Sequence, residues 1–174
     1  IGFPPNMALV WNGTEYMNPI MKTSDMAGDA SLYLNGASFA NAIQALEADG
    51  IQVGTHASVN TDTKIYHLLC IKNATGVAKA FTYTGDGTDS RSITVETDLQ
   101  PEFAIIKDPG AADVAYLRFV DEVGDESLPT DATTTYTDHI QAFEANGVQV
   151  GTAHNINART YKGFAFKASG VAQS

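Results

Sequence analysis

Along most of the chain apolar and polar positions alternate with a period of two, and glycine, proline, asparagine or aspartate breaks the pattern every few residues. AFTYT (80–84), RSITVET (91–97), FAIIK (103–107), VAYLRFV (114–120), GVQVG (147–151) and TYKGFAFK (160–167) are rich in branched and aromatic residues and read as short strands. GDGTDS, DPGAAD and ANG between them carry turn chemistry. In VAYLRFV the residues Ala115, Leu117 and Phe119 make one face wholly apolar, as for a strand that covers a core. One signal has a different period. Phe39, Ile43 and Leu46, and again Tyr136, Ile140 and Phe143, are spaced as on a helix face. Gly50 and Gly147 stand where a glycine cap with positive φ would end a short helix before a Gly-led strand. Gly54 and Gly151 are expected to serve as structural turns after it.

The same words occur twice. IQALEADGIQVGT (43–55) returns as IQAFEANGVQVGT (140–152), with ten of thirteen letters identical. At a spacing of 96, Pro5–Val10 falls on Pro101–Ile106, and Asp25, Gly28, Asp29, Ser31 and Leu32 fall on Asp121, Gly124, Asp125, Ser127 and Leu128. Tyr66–Lys72 later falls on Tyr161–Lys167. A long preserved register with small insertions means tandem duplication of a whole unit, here 1–79 and 80–174. Residues 80–101 introduce the second unit, and their counterpart would begin before Ile1. The first unit therefore reads as lacking its opening two strands, which a neighbour or a longer chain would supply.

Composition narrows the function classes. Of 174 residues, 44% are hydrophobic and 17% charged, as in an ordered globular chain. Twenty acidic against 10 basic residues give a net charge of −10, which repels phosphate backbones and argues against nucleic acid as a partner. No apolar run is long enough for a membrane-spanning helix, so no membrane partner is expected. Cys70 is the one cysteine and lies in an apolar strand, so it reads as a small packed hydrophobe.

Candidate chemistry is sparse. Asp25 with Asp29, Asp121 with Asp125, and Asp86 with Asp89 offer oxygen ligands for Ca2+, but none has the spacing of an EF-hand loop, and turn or cap duty is the preferred role. No other cofactor is expected. His56, His67, His139 and His154 form no HExxH and no close pair in sequence, so no zinc site is expected. Neither a GxSxG elbow nor a phosphate loop is present, and the expectation is a protein without catalytic residues. Trp11, beside the Asn12-Gly13 turn, offers with Tyr16 a flat surface on which a pyranose can stack, or a cross-strand pair. The segments 33–39 and 128–135 differ between the units in sequence and length, which makes them candidates for specific contacts.

FTYTGDGTDSRSIT, followed by LQPEFAIIK, EANGVQVGT and YKGFAFK, resembles a module repeated in tail and virion proteins of bacteriophages, many of them marine. The first unit departs from it at Phe3-Pro4-Pro5, in place of Leu-Gln-Pro, and at Trp11, in place of a strand-ending lysine. The resemblance implies a lectin-like or jelly-roll-like β-sandwich in each unit. The expected protein is thus mainly β: two tandem β-sandwich modules, each with one short helix before the Gly-led strand. Its expected role is that of a non-enzymatic virion protein, a capsid decoration or tail-fibre component at the surface of the extracellular particle. Its expected partners are other virion proteins and copies of itself. The alternative is a receptor-binding module that recognises a host surface glycan.

Overall fold

The computed structural model describes residues 1–15 and 18–167. The chain is mainly β. The first repeat forms β1 (Met7–Asn12), β2 (Ile20–Thr23), β3 (Ser31–Tyr33), β4 (Ser38–Phe39), β5 (Ile43–Leu46), β6 (Ile51–Val53) and β7 (Tyr66–Ile71). β8 (Ala78–Thr84) and β9 (Arg91–Thr94) follow. The second repeat continues with β10 (Phe103–Lys107), β11 (Tyr116–Phe119), β12 (Leu128–Pro129), β13 (Ile140–Glu144), β14 (Gly147–Val150) and β15 (Thr160–Phe166). Among the described residues the helical content is a single 3-10 turn, Thr152–His154.

These strands build four antiparallel sheets, ordered β4-β3-β2-β1-β7, β12-β11-β10-β15-β8, β13-β14-β9 and β5-β6. The duplication is visible in the registers. Val10 on β1 lies opposite Ile20 and Leu68, and Ile106 on β10 lies opposite Tyr116 and Gly163, its equivalents 96 and 95 residues on. Side chains alternate across each sheet, so both faces of β1 and β10 have work to do. Met7 and Leu9 join Phe103 and Ile105 in one core that draws on both five-stranded sheets. Ala8 and Val10 turn the other way, onto the β5–β6 hairpin, while Ala104 and Ile106 turn onto the β13-β14-β9 sheet. Each of the fully buried residues Ile20, Leu32, Ile106 and Phe164 removes enough apolar surface from water to contribute about 1.5–3 kcal/mol.

Two expectations are corrected here. The short helices are absent: Ile43–Leu46 and Ile140–Glu144 are strands of hairpins that turn at Glu47–Gly50 and at Ala145-Asn146. Two features imitate the helical spacing. Asn41 and Asp138 take positive φ (67° and 68°) and turn the chain between the Phe39 or Tyr136 position and the next strand. A β-bulge between Ile43 and Ala45, and between Ile140 and Ala142, then adds a residue to one side, so apolar positions fall three apart. The capping role of Gly50 and Gly147 goes with the helices, because neither has positive φ. In VAYLRFV the second face is covered as well, and Tyr116 and Arg118 on it are buried.

Candidate functional site

The hairpin repeated in the sequence is locked to its sheet by one hydroxyl. Ser31 on β3 is fully buried; its Oγ donates to the Ile43 carbonyl at 2.9 Å and accepts from the Ile43 amide at 2.9 Å. Ser127 repeats this with Ile140, at 3.2 and 2.9 Å. The glycines after each hairpin are needed for close approach. A Cβ on Gly54 would lie 2.4 Å from the Asn41 carbonyl oxygen, and one on Gly151 2.6 Å from that of Asp138. What holds Gly54 and Gly151 as glycines is this backbone contact.

The acidic loops are organised by a cation that the chain carries itself. Lys22, buried on β2, donates from Nζ to the Gly28 and Ala30 carbonyls at 2.8 and 2.7 Å. Its equivalent Arg118 donates to the carbonyls of Gly124 at 2.8 Å and Glu122 at 3.1 Å, to that of Glu126, and to that of Ile140 at 3.1 Å. Burial lowers the pKa of both groups, with Asp29 opposing the shift at Lys22 and Glu122 and Asp125 opposing it at Arg118. The carbonyls that would serve Ca2+ are thus held by a resident positive charge that repels a second cation. Asp25 pairs with Lys162 at 3.1 Å across the repeats, and Asp29 accepts the Asn41 amide at 3.0 Å. Asp121 is exposed and Asp125 half-buried on the matching loop. Asp86 accepts bonds from Thr88 that hold its carboxyl well below the usual range, and it pairs with Arg91 at 3.2 Å. No group of three or more potential metal ligands occurs among the described residues.

One constellation was missed. His139 and His154, 15 residues apart and so no pair in sequence, meet in space with Nδ1 atoms at 2.7 Å. Tyr116 stacks on His139 with ring centres 3.4 Å apart. Burial pushes both imidazoles well below the ordinary histidine range; His139 further opposes protonation of His154, while Asp138 and Asp113 oppose the shift at His139. Neutral at pH 7, the pair shares a hydrogen bond at the wall of a recess beside Asp113. Ala42 and Ala57 occupy the equivalent positions in the first repeat, so the repeat pattern itself carried no sign of it.

Trp11 stacks on His67 across the β1–β7 pair, with ring centres 5.5 Å apart. Tyr16 lies outside the described residues. Cys70 is half-buried opposite Ala8, and burial raises its thiol pKa. The segments 33–39 and 128–135 meet across the repeats: Leu34's carbonyl accepts from the Ala115 amide and from Thr130 Oγ1 at 3.1 Å, and the Ser38 amide donates to Pro109. Between the two large sheets runs a cleft of about 360 Å³ whose walls, among them Met7, Leu9, Leu69, Phe103, Leu117 and Phe166, are wholly apolar.

The two repeats are not equally closed. β15 is paired by β10 and β8, and β14 by β13 and β9, whereas among the described residues β7 pairs with β1 alone and β6 with β5 alone. In consequence Leu68 and Leu69 are 41% and 44% exposed, while their equivalents Gly163 and Phe164 are buried. Fold and site together describe an internally duplicated β protein whose polar side chains mostly secure its own loops and whose first repeat, among the described residues, keeps free strand edges. Comparison with protein-family models, curated proteins and solved structures returns no match.

Proposed function

We propose that the protein is a non-enzymatic virion component, a capsid decoration or tail-fibre protein made of two tandem β-sandwich modules, that acts by assembling with its neighbours. The observation that carries this reading is the open edge of β7 with Leu68 and Leu69 exposed beside it. An unpaired apolar edge is a template for pairing with another chain, and free monomers ordinarily blunt it with charge, proline or a covering loop. The β7 sequence YHLLCI holds no proline and no Asp, Glu, Lys or Arg. Two further features support the reading: the serine, arginine, lysine and aspartate chemistry of the repeated loops is spent on internal bonds, and the sequence resembles a repeated phage virion module. The net charge of −10 keeps assembled particles apart.

Light scattering after size exclusion, at micromolar protein and seawater-like salt, tests the proposal. A defined oligomer or larger array is expected. A clean monomer would overturn the assembly reading and make a glycan array the next experiment.

A further inference from the structure

Gly147 records how closely a neighbouring strand comes. A Cβ there would lie 2.1 Å from the Ile93 carbonyl oxygen, because β9 runs alongside β14. At Gly50, its equivalent, a Cβ would meet nothing within 4 Å, and φ is not in the left-handed region. Neither crowding nor backbone conformation within the described residues calls for glycine at 50. At Gly147 the approach of β9 does.

The chain leading into β1 leaves the vacancy open. Ile1 and Gly2 donate to the Asp49 carbonyl at 2.8 and 3.0 Å. In the second repeat Val95 and Glu96, beyond the end of β9, donate to the equivalent Asn146 carbonyl at 2.8 and 3.2 Å. Ile1 and Gly2, which match Thr97 and Asp98, thus make to the first hairpin the bonds that Val95 and Glu96 make to the second, and among the described residues no strand lies at the positions matching β8 and β9 beside the first repeat.

We infer that the free edges of β6 and β7 accept a strand pair from another unit of the same repeat, with an aromatic residue facing Tyr66 and a small residue facing Leu68. This rests on the assembly reading above and names the contact it uses. The side-chain rule comes from the filled site. There Tyr83 of β8 lies opposite Tyr161 and stacks on it with ring centres 4.9 Å apart. Tyr66 keeps the pose of Tyr161: its hydroxyl accepts the Thr61 amide at 3.0 Å, as that of Tyr161 accepts the Ile156 amide at 3.1 Å. Phe81 lies over Gly163, where a Cβ would come 2.5 Å from its ring. The first repeat has Leu68 at that position, so the side chain comes from the acceptor and the incoming strand must be small there. The turn of the incoming pair is free to differ. Asn155, which donates to Asp86 and Thr88, is replaced by Ser58, already bonded to the Tyr33 hydroxyl at 2.9 Å.

The test uses two labelled peptides spanning residues 78–97, one native and one Phe81→Ala, titrated into the intact protein by fluorescence anisotropy, with hydrogen exchange read on β6 and β7. The Phe81→Ala peptide is expected to bind saturably and about tenfold more tightly than the native one, and to slow exchange along Tyr66–Ile71. The Gly50→Ala protein is expected to melt like the parent and bind the peptide at least about tenfold more weakly. The inference fails if the β6 and β7 amides exchange freely both alone and with either peptide, or if Gly50→Ala binds as well as the parent. Capture of the peptide by a protein that scatters as a monomer would keep the acceptor and remove the assembly reading. A defined oligomer with freely exchanging β7 amides would do the reverse.

Discussion

A single buried hydroxyl decides whether each hairpin holds to its sheet. Ser31 supplies both a donor and an acceptor to Ile43, and no bulk water reaches the site to replace them. Ser31→Ala should destabilise the protein by about 1–3 kcal/mol, as expected when a buried backbone group loses its partner. Ser127→Ala should cost less, because the Ile140 carbonyl keeps the Arg118 guanidinium as a donor. Paired denaturant titrations would show the order. Lys22 and Arg118 lead to a second expectation at this scale. With an internal cation already bonded to the loop carbonyls, neither EDTA nor millimolar calcium should move the melting temperature; a rise of several degrees with calcium would restore the acidic loops as a metal site.

Strand identity was legible wherever period-two alternation was clean, and the duplication showed which segments of the two repeats correspond. The β5 and β13 segments were not legible as strands, because a positive-φ corner and a bulge place their apolar residues at helical intervals. The organising cations were also hidden. Lys22 and Arg118 differ in identity, and a charged residue in a strand is ordinarily read as facing water; both lie on the face of their large sheet that the small hairpin covers, beside Ala8 and Ala104. The histidine pair belongs to the second repeat alone and joins the corner before β13 to the 3-10 turn after β14. It gives that repeat a pH dependence. Both groups have folded pKa values below the unfolded value of 6.5, so the unfolded chain binds protons first as the solution is acidified. The stabilisation is fully present above pH 6.5 and is lost as pH falls toward about 4, the folded value for His139. Chemical denaturation across that window should show the slope, and the double variant His139→Ala, His154→Ala should flatten it.

At the scale of the whole molecule the two repeats meet through their large sheets, and each keeps its small hairpin on the outside. The hairpins share ten of thirteen residues, and both bind a serine in the same way. Before the large sheets have stacked, each hairpin therefore finds two nearly equivalent docking places, its own and its twin's. Folding then includes a sorting step, and a chain that docks its hairpins crosswise must undo both before the sheets can close. Refolding from denaturant should show a slow phase, independent of protein concentration and not accelerated by a prolyl isomerase. The symmetry that makes the native architecture economical to encode thus also gives it a kinetic competitor.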